Sequence, residues 1–190
     1  MTEGSVSREP SGVVLVEGLS DQQALEALAE RRGRDLDAEG ISVVPIGGAQ
    51  SIGRFLDRFG NSDVELAGLC DVGEEDDFRR GLERAGLGSD LTRVDMEQLG
   101  FYVCDADLED ELIRALGAQR VEEVVEANGD ISPFRTFQKQ PEWRGRPVAD
   151  QLRRFMGSGG SRKIRYARLL VEALDLDAVP RPLDLVLAHV

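Results

Sequence analysis

The 190-residue chain has one histidine, two cysteines, one tryptophan and only two lysines, Lys139 and Lys163, against 21 arginines. The lone histidine, His189, stands beside the C-terminus and reads as a surface residue. Ser-His-Asp and Cys-His nucleophilic sites, HNH-type nuclease sites and ordinary His/Cys zinc sites therefore lack their parts. Cys70 and Cys104 each end an apolar run, "LAGLC" and "FYVC", and read as isolated buried thiols rather than a disulfide. There is no signal peptide and no apolar run of spanning length, which predicts a cytoplasmic protein with no membrane partner. A phosphate-binding Walker loop is missing too. In the closest stretch, "GSGGSRK", Arg162 stands where the second glycine must sit and Ile164 where Ser or Thr must hold magnesium.

What is abundant is acid, and it is unevenly spread. The formal charge is -13. Residues 1–132 carry 12 basic and 30 acidic side chains, residues 133–170 carry 10 and 2, and the last twenty carry 1 and 4. An acidic body with one basic segment is compatible with phosphate binding if the acids hold cations and the bases face the strand.

The apolar pattern is that of an α/β domain with a parallel sheet. "VVLVEG" (13–18) is an unalternating β-branched run and predicts a strand buried on both faces. Ser20 and Gln23 form an S-x-x-Q capping box ahead of a helix that runs to Gly33. Strands over 41–49, 64–72 and 101–110 follow, each leading into an amphipathic helix, so the order is βαβαβαβα. Beyond residue 119 the pattern predicts a helix closed by Gly129, an irregular crossover over 131–147, and two helices separated by Gly157–Gly160. The expected organisation is a disordered tail (1–12), a core (13–118) and a basic helical extension (119–190).

Ligands of such folds bind at the carboxyl ends of the strands. Three of the four ends carry acid: Glu17, then Asp71, then Asp105, Asp107 and Glu109. Carboxylates without histidine or cysteine form a hard oxygen site, suited to magnesium or manganese. Taken singly, Asp21, Asp107 and Glu109 are explained as helix-start acids, and Glu74–Asp77 as a solvated first-turn run. Glu17 has no such explanation, because it closes a buried strand ahead of a glycine. A charge there costs free energy unless something binds it.

The stretch "VVLVEGLSDQQAL" resembles the opening motif of the TOPRIM domain, and its Ser-Asp after Glu-Gly is closest to the OLD (overcoming lysogenization defect) nucleases. "LCDVGEED" is similar to that family's D-x-D element with Asp71 as first acid, "DLEDEL" to its acidic D-L-E element, and Lys163 stands where the family has a lysine in a C-terminal helix. The likeness spans about residues 13–175. It implies a three-layer α/β/α, Rossmann-like TOPRIM fold with a four-stranded parallel sheet. It also implies a Mg2+ or Mn2+ endonuclease or nickase acting on DNA with two ions, Glu17 and Asp21 holding one, Asp71 and Glu109 the other, and Asp107 as a further metal residue. Glu17 and Lys163 would be catalytic.

Two departures stand out. Gly73 occupies the second acid position of D-x-D, so that ligand is either missing or supplied by Glu74, Glu75 or Asp107. OLD nucleases also carry an ABC-type ATPase, and these 190 residues contain none. The resemblance thus implies a nuclease-like module alone or one half of a two-gene pair with a separately encoded ATPase, and suggests a homodimer. A catalytically weakened module that binds nucleic acid or that ATPase is the alternative.

Lys163 has an argument of its own, since a chain that otherwise uses arginine spends a compact, pKa-adjustable charge there. In the basic segment, Phe134, Phe137 and Trp143 interleave with Arg135, Lys139, Arg144 and Arg146, either as a base-stacking surface or as anchors of a crossover. Arg144, Arg146, Arg153, Arg154, Arg162, Arg165 and Arg168 are the candidate phosphate contacts. Tyr102 and Tyr166 read as core.

Overall fold

The computed structural model describes residues 10–59 and 63–190. Most of the expected N-terminal tail lies outside the described residues, and Gly12 already belongs to the first strand. The described residues form β1 (Gly12–Val16), α1 (Leu19–Arg31), α2 (Leu36–Glu39), β2 (Ile41–Pro45), α3 (Ile52–Phe59), β3 (Glu65–Asp71), α4 (Glu75–Arg84) and α5 (Arg93–Gln98). There follow β4 (Phe101–Cys104), α6 (Leu108–Leu116), α7 (Ala118–Ala127), α8 (Ile131–Gln138), α9 (Val148–Gly157), α10 (Gly160–Ala173) and α11 (Arg181–His189).

The four strands make one all-parallel sheet in the order β2-β1-β3-β4. β1 is central and wholly buried, as its unbroken Val-Val-Leu-Val run requires. Val13 and Leu15 face a core completed by α3, α4 and α5, through residues such as Ile52, Leu56, Phe78, Leu82 and Met96. Val14 and Val16 face the larger core, which α1, α6, α7, α9, α10 and α11 close with Leu25, Leu28, Leu112, Leu170 and Leu183. Gly68 in β3 is fixed by close approach. A Cβ there would lie 2.5 Å from the Phe101 ring, so only glycine lets Phe101 cross beneath β3. Because β2 and β3 flank β1 on opposite sides, strand order reverses between β1 and β3, and their carboxyl ends form the topological switch point where α/β folds bind ligands.

Several expectations need correction. The strands stop earlier than the apolar runs suggest: β2 ends at Pro45 ahead of Gly47 and Gly48, and β4 ends at Cys104 because Asp107 caps α6. α1 is not capped by Ser20 and Gln23: Gly18 precedes its first turn, and the Gly18 N–H donates to Asp21 Oδ2 at 3.0 Å. Residues 131–138 are helical, not an irregular crossover, since Phe134 is fully buried and pins that turn to Phe155. His189 is half-buried, packed edge-on to Tyr102 with its ring against Gly100. Both thiols are free and buried, and both tyrosines are core residues. No helix among the described residues is long and apolar enough to cross a membrane.

Candidate metal centre and basic cleft

Glu17 leaves β1 at one side of the switch point and Asp71 ends β3 at the other. The chain after Asp71 tightens into a single 3-10 turn, Val72–Glu74, which carries Glu74 back toward the strand ends. Oxygens of Glu17, Asp71 and Glu74 all lie within 4.8 Å of one another. Of the three residues that could replace the acid missing at Gly73, it is Glu74 that joins the cluster. Glu75 is ion-paired to Arg93, and Asp107 receives Arg153 at 2.6 and 2.7 Å. Asp76 and Asp77 pair with Arg79 and Arg80. The expected solvated acidic run is therefore divided, one member facing the site and three tied to arginines.

Asp107 is the N-cap of α6, its Oδ1 accepting the Asp110 N–H at 2.8 Å. Capping turns the helix so that Glu109, in the first turn, points inward. Glu109 is 4 % exposed. Its Oε2 lies 3.5 Å from Lys163 Nζ on α10, while its Oε1 is buried with no hydrogen-bond partner. An orphaned carboxylate oxygen of this kind costs on the order of 1–3 kcal/mol or more. A bound cation would remove that cost, so this oxygen is an observation that the donor set fits a hard metal ion. Asp105 stays outside the cluster, exposed and 3.6 and 3.7 Å from Arg93 and Arg114.

The electrostatics agree with the geometry. Burial raises the Glu17 carboxyl, and Glu74 and Asp21 add to the shift. Burial also raises Asp21, against the pull of the Gly18 N–H and of Lys163. Asp71 is pushed up to about 8, first by burial and then by the charges of Asp21, Asp107 and Glu17. Glu109 is raised by burial to about 6, with Lys163 opposing. For Lys163, burial works to lower the pKa, yet Glu109, Asp21, Asp71 and Asp107 together outweigh it and the net shift is upward. Lys163 is thus a fixed cation in contact with Glu109 and electrostatically coupled to Asp21, Asp71 and Asp107. Clusters of mutually shifted acids concentrate where a charge is to be bound or moved.

From Lys163 a cleft of about 530 Å³ opens, lined by Asp107, Glu109, Trp143, Arg146, Asp150, Arg153, Arg154 and Lys163 among others. Here the basic segment meets the acidic cluster. Arg153 reaches it through Asp107, and exposed Arg144 flanks it, donating to the Lys139 carbonyl at 3.1 Å. The remaining arginines are otherwise engaged. Arg162 lies over Phe155 and binds Ser158, Arg165 pairs with Asp130, and Arg168 ties α10 to Glu30 of α1 and to Glu172. Of the interleaved aromatics, Phe134 is fully buried and Phe137 packs on the core. Only Trp143 reaches the cleft. Burial and pairing decide that division, and neither is visible in a one-dimensional charge pattern.

Residues 11–72 match a family model described as "Overcoming lysogenization defect protein-like, TOPRIM domain". Among solved structures, the C-terminal region of the Xanthomonas campestris pv. campestris OLD protein is similar at 24% identity, covering 95% of this chain and 91% of that one with a TM-score of 0.72. The C-terminal region of the Burkholderia pseudomallei OLD protein is similar at 22% identity over 95% and 96% of the two chains, with a TM-score of 0.68. At these identities the likeness is one of fold. No curated protein matches the chain.

Proposed function

We propose that the chain, whose residues 11–72 match the OLD-like TOPRIM family model, is a magnesium- or manganese-dependent endonuclease or nickase that hydrolyses phosphodiester bonds of DNA. The observation that carries this reading is the convergence of Glu17, Asp71 and Glu74 at the switch point. These three would hold one cation, and Asp21 with the free oxygen of Glu109 a second. When bound, divalent cations supply Lewis acidity toward a phosphoryl oxygen and lower the pKa of water. The chain's own residues do the rest. Lys163, held beside Glu109, offsets charge on the departing oxygen. Arg153 and Arg154 orient the phosphate backbone, and Arg144 extends that contact along the strand. Buried Val16 and Leu69, paired across β1 and β3, anchor the strand ends that carry Glu17 and Asp71. A cytoplasmic setting, with both thiols reduced, suits this assignment.

The test is supercoiled plasmid in magnesium and then manganese, with Glu17→Ala beside the wild type. Nicking or linearisation by the wild type alone is the expected result. Equal activity in both proteins, or none in either while DNA binding persists, overturns the nuclease reading. The last outcome would favour a second reading that Gly73 suggests: a weakened module that binds nucleic acid or works beside a separate ABC-type ATPase.

A further inference from the structure

We infer that the cleft beside Lys163 receives an unpaired nucleobase of the bound strand, stacked at Trp143 and Arg146. The inference rests on the phosphodiesterase reading above and narrows its substrate to DNA that offers an unstacked base at the site.

Phosphate contact alone does not require an aromatic wall. Trp143 lines the cleft and its ring stacks on Phe137, with centroids 5.2 Å apart and planes 29° apart. The guanidinium of Arg146 lies 5.0 Å from the Trp143 centroid, and its Nε donates to the Glu142 carbonyl at 2.7 Å. The aromatic and guanidinium planes are thus ordered before any ligand arrives. Their support is buried: Gln151, 4 % exposed, donates to the Trp143 carbonyl at 2.7 Å and accepts from Gln138 at 2.7 Å. A solvent-facing loop with no partner does not need a buried glutamine to fix its tryptophan.

The cleft also holds an acceptor. Asp150, exposed in the first turn of α9, has no side-chain partner among the described residues. A carboxylate beside a stacking platform accepts from the exocyclic amino group of a splayed base, which a paired base in a duplex withholds. Arg153, Arg154 and Lys163 stand on the same cleft. A base at Trp143 and its phosphate at Lys163 therefore belong to one short stretch of strand. Stacking on guanidinium or aromatic planes is sequence-tolerant, so the platform recognises an unpaired base, and the Asp150 acceptor favours those that carry an exocyclic amino group over thymine.

Trp143 is the only tryptophan in the chain, so its emission reports directly on this cleft. The full chain is titrated in EDTA, where cleavage cannot occur, with three ligands: a single-stranded oligonucleotide, the same strand with abasic sites at its centre, and the blunt duplex. The intact single strand is expected to quench Trp143, and the other two to leave its emission nearly unchanged. Labelled-strand anisotropy of Arg146→Ala gives the second measurement. Affinity for the intact strand is expected to fall about tenfold and that for the abasic strand less than about twofold, the loss of one stacked base. Equal quenching by duplex or abasic strand, or an equal loss for intact and abasic strands, would make Arg146 a plain phosphate contact and overturn the inference. A silent plasmid assay with intact, base-dependent quenching would instead remove the nuclease reading and leave the subsite standing.

Discussion

Metal binding at neutral pH is expected to expel about one proton from the acidic cluster. Asp71 sits near pH 8 and Glu109 near pH 6 in the metal-free protein. At pH 7 a group with the first value is about nine-tenths protonated and one with the second about one-tenth, so a cation that requires both ionised releases about one proton. The proton belongs to the cluster rather than to one oxygen, since Asp71, Asp21, Glu17 and Glu109 are electrostatically linked. Apparent affinity should therefore rise up to about tenfold per pH unit between pH 6 and 8 and level off above that. The measurement is calorimetric titration of manganese in buffers of different ionisation enthalpy, whose slope counts the protons. At pH 9 the release should fall to about 0.1, because the cluster is by then ionised.

The same shift fixes the sign of the metal-free pH dependence. A carboxyl whose pKa is raised in the fold favours the folded state fully at pH below its unfolded value, and loses that contribution as pH rises through about 8. The slope for one such group is at most about 1.4 kcal/mol per unit, reduced by solvent at a partly exposed side chain. In EDTA the melting temperature should fall from pH 5 to 8, and saturating manganese should flatten the trend, because the cluster is then ionised in the folded state as it is in the unfolded one. No proton release at pH 7, or a metal-free melting temperature that climbs over this range, would refute the account of the cluster.

Gly73→Asp should fold normally, because a Cβ there meets nothing within 4 Å, and should tighten manganese binding severalfold by calorimetry if the cluster holds a cation. Gly68→Ala drives a methyl to 2.5 Å from the Phe101 ring and should cost about 1–3 kcal/mol in urea unfolding. Phe134→Ala should cost about 3–5 kcal/mol in the same assay, since that ring is fully buried between α8 and α9. Lys163→Met removes the cation beside Glu109. It should move the Glu109 titration upward from about 6, read by carboxyl NMR, and abolish plasmid cleavage with the fold intact.

Much of this architecture was legible in the residues. The unbroken Val13–Val16 run required a doubly covered strand, and the alternation of strands with amphipathic helices required parallel pairing. Glu17 was identifiable because nothing local excused a charge at that strand end. The role of Glu74 was not legible, because it depends on a 3-10 turn that folds the residue after Gly73 back onto β1. Nor was the fate of the arginines. Arg165 and Arg168 share a helix face pattern with Arg162, and only the positions of Asp130 and Glu30 in space distinguish them. Phe134 and Trp143 lie nine positions apart in one basic segment, yet one is sealed in the core and the other faces the cleft.

The partition of positive charge follows from what the acids demand. Carboxylates from β1, α1, β3 and α6 converge where burial disfavours ionisation, and a metal-free fold can answer only by keeping protons or by supplying cations of its own. It does both: Asp71 stays protonated near neutrality, while Arg153 covers Asp107 and Lys163 covers one oxygen of Glu109. Glu109 Oε1 receives neither. The two internal cations come from α9 and α10, the helices that also wall the cleft. A phosphate arriving there meets charges that the acidic cluster has already ordered. The net charge of -13 is thus consistent with a nucleic-acid site, because the long-range repulsion is met locally, within roughly one Debye length of about 8 Å, by fixed positive groups.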